Sequence, residues 1–108
     1  MRIRLLESAL RDLAEGSDFY EQRSPGLGQY FLDSLAADLR SLQIYAGIHE
    51  VVRGFHRALS ERFPYAIYYS VQNDQVSVYA ILDCRRDPRT IERRLADEQA
   101  GRDDSSAP

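Results

Sequence analysis

Lysine is absent from this 108-residue chain, so all 14 basic residues are arginine, and tryptophan is absent too. Without lysine there can be no Walker-type phosphate loop. A single cysteine, Cys84, excludes an intramolecular disulfide and points to a reducing compartment. Lacking an obvious activating base, Cys84 reads as a small semi-apolar filler at a strand end rather than a nucleophile. No apolar run approaches the roughly eighteen residues of a membrane span. Met1-Arg2-Ile3-Arg4-Leu5-Leu6-Glu7 reaches an acid too early for a secretory signal, so the expected location is the cytoplasm. No serine sits in a GxSxG elbow. His49 and His56, with only Cys84 and scattered acids as companions, match no zinc spacing. Gly26-Leu27-Gly28 begins like a phosphate-binding glycine loop, but Phe31 stands where the last glycine belongs; glycines there suit close helix packing instead. No metal or cofactor is expected.

What is present fits one domain, since a chain of this size can bury most of its apolar surface around a single core. The formal net charge is −3, and its distribution is uneven. Residues 1–52 hold five arginines against eight acids, residues 53–96 eight against five, and residues 97–108 one against four. The 53–96 segment is therefore the candidate for contact with an anionic surface.

Ile3 to Leu6 reads as a short first strand. Ser8 is a candidate cap for a helix over 8–22, with Leu10, Leu13, Ala14, Ser17 and Tyr20 inward and Arg11, Asp12, Glu15 and Glu21 outward. Gly16 suggests a neighbouring backbone passing close to that helix. Ser24-Pro25 predicts the start of a second helix, whose inward stripe is Leu27, Phe31, Leu35, Leu39, Leu42 and Ile44. The short link makes the two helices an antiparallel hairpin. Val51 to Leu59 reads as a strand of mixed alternation with a bulge at Gly54. Pro64 marks the entry to the next strand, which places Tyr65, Ile67, Tyr69 and Val71 on a core face and Ala66, Tyr68 and Ser70 on an open one. Asn73-Asp74 supplies a turn. Val76, Val78, Ala80 and Leu82 then alternate with Ser77, Tyr79 and Ile81. Asp87-Pro88 opens a final helix anchored by Ile91 and Leu95 and otherwise rich in arginine. From Ala96 onward the composition predicts an acidic tail without fixed structure.

The expected fold is thus α+β: an N-terminal strand and a two-helix hairpin on a mainly antiparallel sheet, ordered β-α-α-β-β-β-α, with one domain over 1–95 and a tail over 96–108. The helical hairpin and meander, Phe63-Pro64-Tyr65-x-Ile67-x-Tyr69, and Arg85-Arg86-Asp87-Pro88-x-x-Ile91 together resemble the RelE/ParE superfamily of type II toxins over residues 1–95. That resemblance implies a growth-inhibiting toxin neutralised by a cognate antitoxin protein.

Within the superfamily, RelE-like members cleave mRNA on the ribosome and ParE-like members inhibit DNA gyrase. Cleavage through a 2′-hydroxyl needs a base, an acid and cationic stabilisation of the phosphorane. RelE-like members typically supply these from lysines, arginines and a tyrosine near the C-terminus. Here there is no lysine, and no tyrosine or histidine beyond Leu82. A nuclease would have to use Arg57, Arg62, Arg85 and Arg86 as phosphate ligands with Tyr68 or His56 as proton carrier. The resemblance is therefore ParE-like, with ribosome-dependent cleavage as the alternative and a non-toxic interaction module as another. The expected target-binding residues are Arg62, Tyr68, Arg85, Arg86, Arg89 and Arg93. Solvated arginines that simply pair with Asp83 or Asp87 are the plain alternative for that cluster. A base-stacking RNA-binding sheet fits the neutral body poorly, so specific nucleic-acid binding is not expected.

Overall fold

The computed structural model describes residues 1–105. Its elements are β1 (Arg2–Leu5), α1 (Glu7–Glu21), α2 (Leu27–Tyr45), β2 (Val51–Val52), β3 (Phe55–Leu59), β4 (Tyr65–Gln72), β5 (Gln75–Asp83) and α3 (Pro88–Ser105). The five strands form one sheet in the order β1-β5-β4-β3-β2, in which β1 runs parallel to β5 and every other pair is antiparallel. One face carries the α1–α2 hairpin and the other carries α3, so the α+β expectation holds.

The helical hairpin is set by glycine and a carboxylate rather than by Ser24-Pro25. Gly26, at φ +89°, precedes α2 in the left-handed region, where a Cβ would be strained. Glu21 at the end of α1 accepts the N–H groups of Gly26 (3.1 Å) and Gly28 (3.0 Å), satisfying donors that the first turn of α2 would leave free. A Cβ on Gly28 would lie 2.6 Å from the Ser17 carbonyl oxygen, so this glycine brings the two helices together. At Gly16 the close neighbour is the Phe31 ring at 2.6 Å, a side chain and not the backbone its sequence position suggested.

Ser8 does not cap α1. Leu6 holds that position without a side-chain bond, and the Ser8 hydroxyl instead reaches the Tyr79 carbonyl (2.9 Å) and Glu98 (3.2 Å). The buried stripe of α1 is Ala9, Asp12, Gly16 and Tyr20, while Leu10 is 53% exposed. In α2 the stripe is Phe31, Leu35, Leu39 and Leu42 as expected, but Ile44 is turned to solvent.

Gly54 marks a reversal where the alternation suggested a bulge. Arg53 (φ 52°) and Gly54 (φ 86°) form a two-residue turn between the antiparallel strands β2 and β3, since positive φ at both central residues matches the twist of a hairpin. The bulge lies elsewhere: Tyr68 faces Ala80 and Tyr69 faces Val78, leaving Tyr79 as the extra residue. It rotates β5, so Val76, Val78 and Ile81 join the core under α1 and α2, while Ala80 and Leu82 join the one under α3.

Tyr65, Ile67 and Tyr69 are buried in the first core, fastening the sheet to the hairpin. The opposite face is not open. Phe55, Ala66, Tyr68, Ala80 and Leu82 are covered by Leu95 and Ile91 of α3. That helix begins at Asp87-Pro88 as predicted, with the Asp87 carboxylate accepting the Arg89 N–H at 2.9 Å. It continues through the acidic segment expected to lack fixed structure; residues 106–108 of that segment lie outside the described residues. Polar contacts carry the extension: Arg94 to Glu98 (3.4 Å), Arg102 to the Gly54 carbonyl (3.1 Å), and Arg53 of the β2–β3 turn to Glu92 (3.1 Å).

Candidate partner-binding surface

The arginines that the sequence grouped together separate into three environments. In the first, the chain leaves β5 at Asp83, whose carboxylate accepts the Arg85 backbone N–H (2.8 Å) and both arms of its guanidinium (3.0 and 2.8 Å). The side-chain bond from Arg85 holds Asp83 below the ordinary carboxylate range, and Arg85 is raised above its ordinary value by the same contact. Arg89 is tied likewise to Asp87 at 3.1 Å. Both are exposed, with their charge partly answered by the neighbouring acid.

In the second environment, Arg86 and Arg93 are exposed and their side chains make no hydrogen bond or ion pair among the described residues. With Thr90, Ile91 and Leu82 they line a hollow of about 230 Å³ beside α3. These two guanidinium groups are the members of the predicted set with charge to spare.

The third environment is an aromatic cluster at the α1–α2 turn. Arg62 donates to the Tyr30 hydroxyl at 3.0 Å, and this bond raises Arg62 above its ordinary value. Tyr30 packs on Phe63, Phe63 on Tyr20, and the Tyr20 hydroxyl accepts from Arg85 at 3.4 Å. Arg62 and Arg85 thus bracket one run of rings. Phe19 and Arg23 extend it, the guanidinium lying 4.3 Å from the Phe19 ring centre. Phe19 (41% exposed) and Tyr30 (45% exposed) were not singled out in the sequence, although Phe19 and Arg23 stand four apart on α1, where a ring and a cation meet.

Arg94 of α3 and the expected Tyr68 lie elsewhere. Arg94 is drawn inward: burial opposes its charge, and Asp12 and Glu98 outweigh that penalty and raise its pKa. Tyr68, placed on an open face by alternation, is 3% exposed beneath α3; the final helix folds over the surface on which it was expected to reach a partner. Its hydroxyl accepts from Arg57 Nε at 3.3 Å, and the same guanidinium lies 3.6 Å from Cys84 Sγ and 3.6 Å from Glu50. That bond to Tyr68 raises Arg57 above its ordinary value despite partial burial.

The five residues a nuclease would need are therefore divided, with Arg57 and Tyr68 together, Arg62 on Tyr30, Arg85 on Asp83 and Arg86 outward. Burial pushes the Tyr65 phenol up to about 12, which keeps it protonated. No group of three or more His, Cys, Asp or Glu side chains is placed to hold a metal among the described residues. No helix among them is long and apolar enough to cross a membrane.

No curated protein matches the chain. A solved structure described as the chromosomal ParDE TA system from P. aeruginosa superimposes with a TM-score of 0.63 at 20% identity, over 75% of this chain and 92% of that one, a likeness of fold. Residues 3–88 match the model of the ParE toxin of the type II toxin-antitoxin system parDE. With most of β1 through the start of α3 inside that match, the chain belongs to the ParE toxin family of type II toxin–antitoxin systems.

Proposed function

We propose that this toxin acts in the cytoplasm by binding DNA gyrase, stops growth, and is neutralised by a cognate antitoxin. The observation that carries the reading is the condition of the sheet face under α3. Tyr68, the tyrosine a nuclease would use there, is buried with its hydroxyl on Arg57, and the chain offers no lysine to take its place. RNA cleavage needs a proton carrier within reach of the substrate, whereas gyrase inhibition needs a recognition surface. Exposed Arg86 and Arg93, with Arg85, Arg89 and Arg62 nearby in chain or fold, offer one that suits an acidic protein surface.

The test is a supercoiling assay with purified toxin and gyrase, with and without the protein encoded beside it. Loss of supercoiling that the neighbour restores is expected. Intact supercoiling at stoichiometric excess, together with cut message in a translating extract, would replace this reading with the ribosomal one. Growth unchanged on induction of the toxin alone would leave a non-toxic binding module.

A further inference from the structure

We propose that His49, Tyr69 and His56 form a pH-operated clasp that fastens the 46–50 connection to the sheet and releases it on acidification. The connection joins α2 to β2 and has no strand or helix of its own. Beyond the Arg57 N–H bond to the Glu50 carbonyl (2.9 Å), its hold on the sheet is a run of hydrogen bonds that begins on one fully buried phenol.

Tyr69 has no exposed surface. Its hydroxyl oxygen accepts the Gly47 N–H at 2.9 Å and lies 2.5 Å from His49 Nδ1. An O–H that already accepts still has a proton to give, and Nδ1 is the acceptor within reach, so His49 carries its own proton on Nε2. His56 extends the run, its Nδ1 lying 2.8 Å from the His49 carbonyl oxygen. A carbonyl only accepts, so His56 holds a proton on Nδ1. The His56 ring also stacks on Tyr69 (5.1 Å, 24°), and His49 meets the same ring edge-on (5.7 Å). Gly47, at φ +97°, gives the backbone the left-handed turn that aims its N–H at the phenol.

Protonating His49 breaks this arrangement at one atom. With Nδ1 now a donor, the Tyr69 hydroxyl proton loses its acceptor inside the core, and a buried donor without a partner is unfavourable. His56 already donates from Nδ1, so its protonation leaves its own bond intact and adds a positive charge beside His49. Other charged or titratable neighbours are accounted for: Glu50 follows in the chain and pairs with Arg57 of β3, Tyr45 ends α2, and Tyr69 stands on β4. Among the described residues no carboxylate bonds the His49 ring.

Burial, and then the charge of His56, hold His49 below its ordinary 6.5. The clasped form therefore binds the proton more weakly than the open form does. Its stability is fully present above 6.5 and falls as the pH drops through that value toward the lowered one. Release would free a segment whose Ile48 is already 73% exposed and uncover the Tyr69 end of the core.

The experiment is amide exchange at Gly47 by NMR, each rate divided by its intrinsic value at that pH. Between about pH 7.5 and about pH 5.5, protection of Gly47 is expected to fall on the order of tenfold, the ratio one lost buried hydrogen bond sets. His49→Asn, whose amide oxygen accepts from Tyr69 without titrating, should hold protection constant. Tyr69→Phe, which keeps the ring, should show low protection at both values. Flat protection in the unaltered protein, an undiminished fall in His49→Asn, full protection in Tyr69→Phe, or a neutral-pH spectrum with the His49 proton on Nδ1 would each overturn the clasp.

Discussion

Asp12 of α1 and Arg94 of α3 meet in a bidentate ion pair, with N–O distances of 2.9 and 2.7 Å, across the end of the sheet that separates their helices. Asp12 is 7% exposed and also accepts the Ile81 backbone N–H at 2.9 Å. One carboxylate thus joins both helical layers and β5.

Removing that carboxylate strands the Ile81 amide and leaves the Arg94 guanidinium only its longer contacts with Glu98 and the Tyr79 carbonyl, both 3.4 Å. Asp12→Ala is expected to destabilise the protein by about 3 kcal/mol, the low end for breaking a buried pair because Arg94 retains some solvent contact. The combined change Asp12→Leu with Arg94→Met should recover part of the loss, since an apolar pair of similar volume costs little while the Ile81 N–H stays without its acceptor. Urea denaturation of the three proteins checks both expectations; equal stability of single and double variants would contradict them.

The helical hairpin depends on closeness at Gly28. Gly28→Ala places a methyl 2.6 Å from the Ser17 carbonyl oxygen, and forcing the helices apart is expected to cost about 2 kcal/mol. Gly26→Ala meets open space and carries only the left-handed backbone penalty, about 1 kcal/mol. Thermal unfolding should rank the two in that order.

Acid stability carries a signature of Asp83. Its folded-state pKa is depressed, chiefly by the Arg85 side chain, so its contribution is present above the ordinary 3.8 and is lost as pH falls through the lowered value. Arg85 is well exposed, and solvent screening keeps the effect small. A pH series of denaturation midpoints should show Asp83→Asn with a shallower acid limb and reduced stability at neutral pH.

The proposed contact surface separates from the scaffold by charge reversal. Arg86→Glu with Arg93→Glu alters two exposed side chains that make no hydrogen bond or ion pair among the described residues, so stability should move by no more than about 0.5 kcal/mol. Gyrase inhibition should fall by tenfold or more in the same protein, as steering and contact both weaken. Tyr68→Phe should do the reverse, leaving inhibition intact while costing about 1 kcal/mol for the lost Arg57 bond. Supercoiling assays beside urea curves distinguish these outcomes.

Periodicity made the scaffold readable, and what it could not reach were features with distant partners. Phe31, Leu35, Leu39 and Leu42 on α2, and Tyr65, Ile67 and Tyr69 on β4, declared their faces through local spacing alone. Asp12 sits on the buried face of α1 because Arg94 and the Ile81 amide wait there, 82 and 69 positions away, and nothing nearby in the chain announces either. The polar second half of α3 reads as unstructured for the same reason: its stabilising contacts lie on Ser8, Gly54 and Phe55. The arginine cluster was recognisable by composition, but division into paired, buried and unsatisfied members depends on Asp83, Asp87 and Asp12. Tyr68 illustrates the limit most directly, since alternation gave its face correctly and the final helix was expected, but not its packing over that face.

The parallel pairing of β1 with β5 bears on how this toxin is made. Arg2 is matched with Gln75 and Leu5 with Val78, and β5 is the strand beside β1 at the sheet edge. β1 therefore waits for a strand translated some seventy residues later, an interval of about 4–15 s at ordinary rates of synthesis. Until then the sheet lacks its edge and the Asp12 carboxylate lacks Arg94. A nascent chain cannot complete this sheet before β5 has been translated, nor close the layer beneath it before α3 has followed, so β1 and Asp12 spend that interval without their final neighbours.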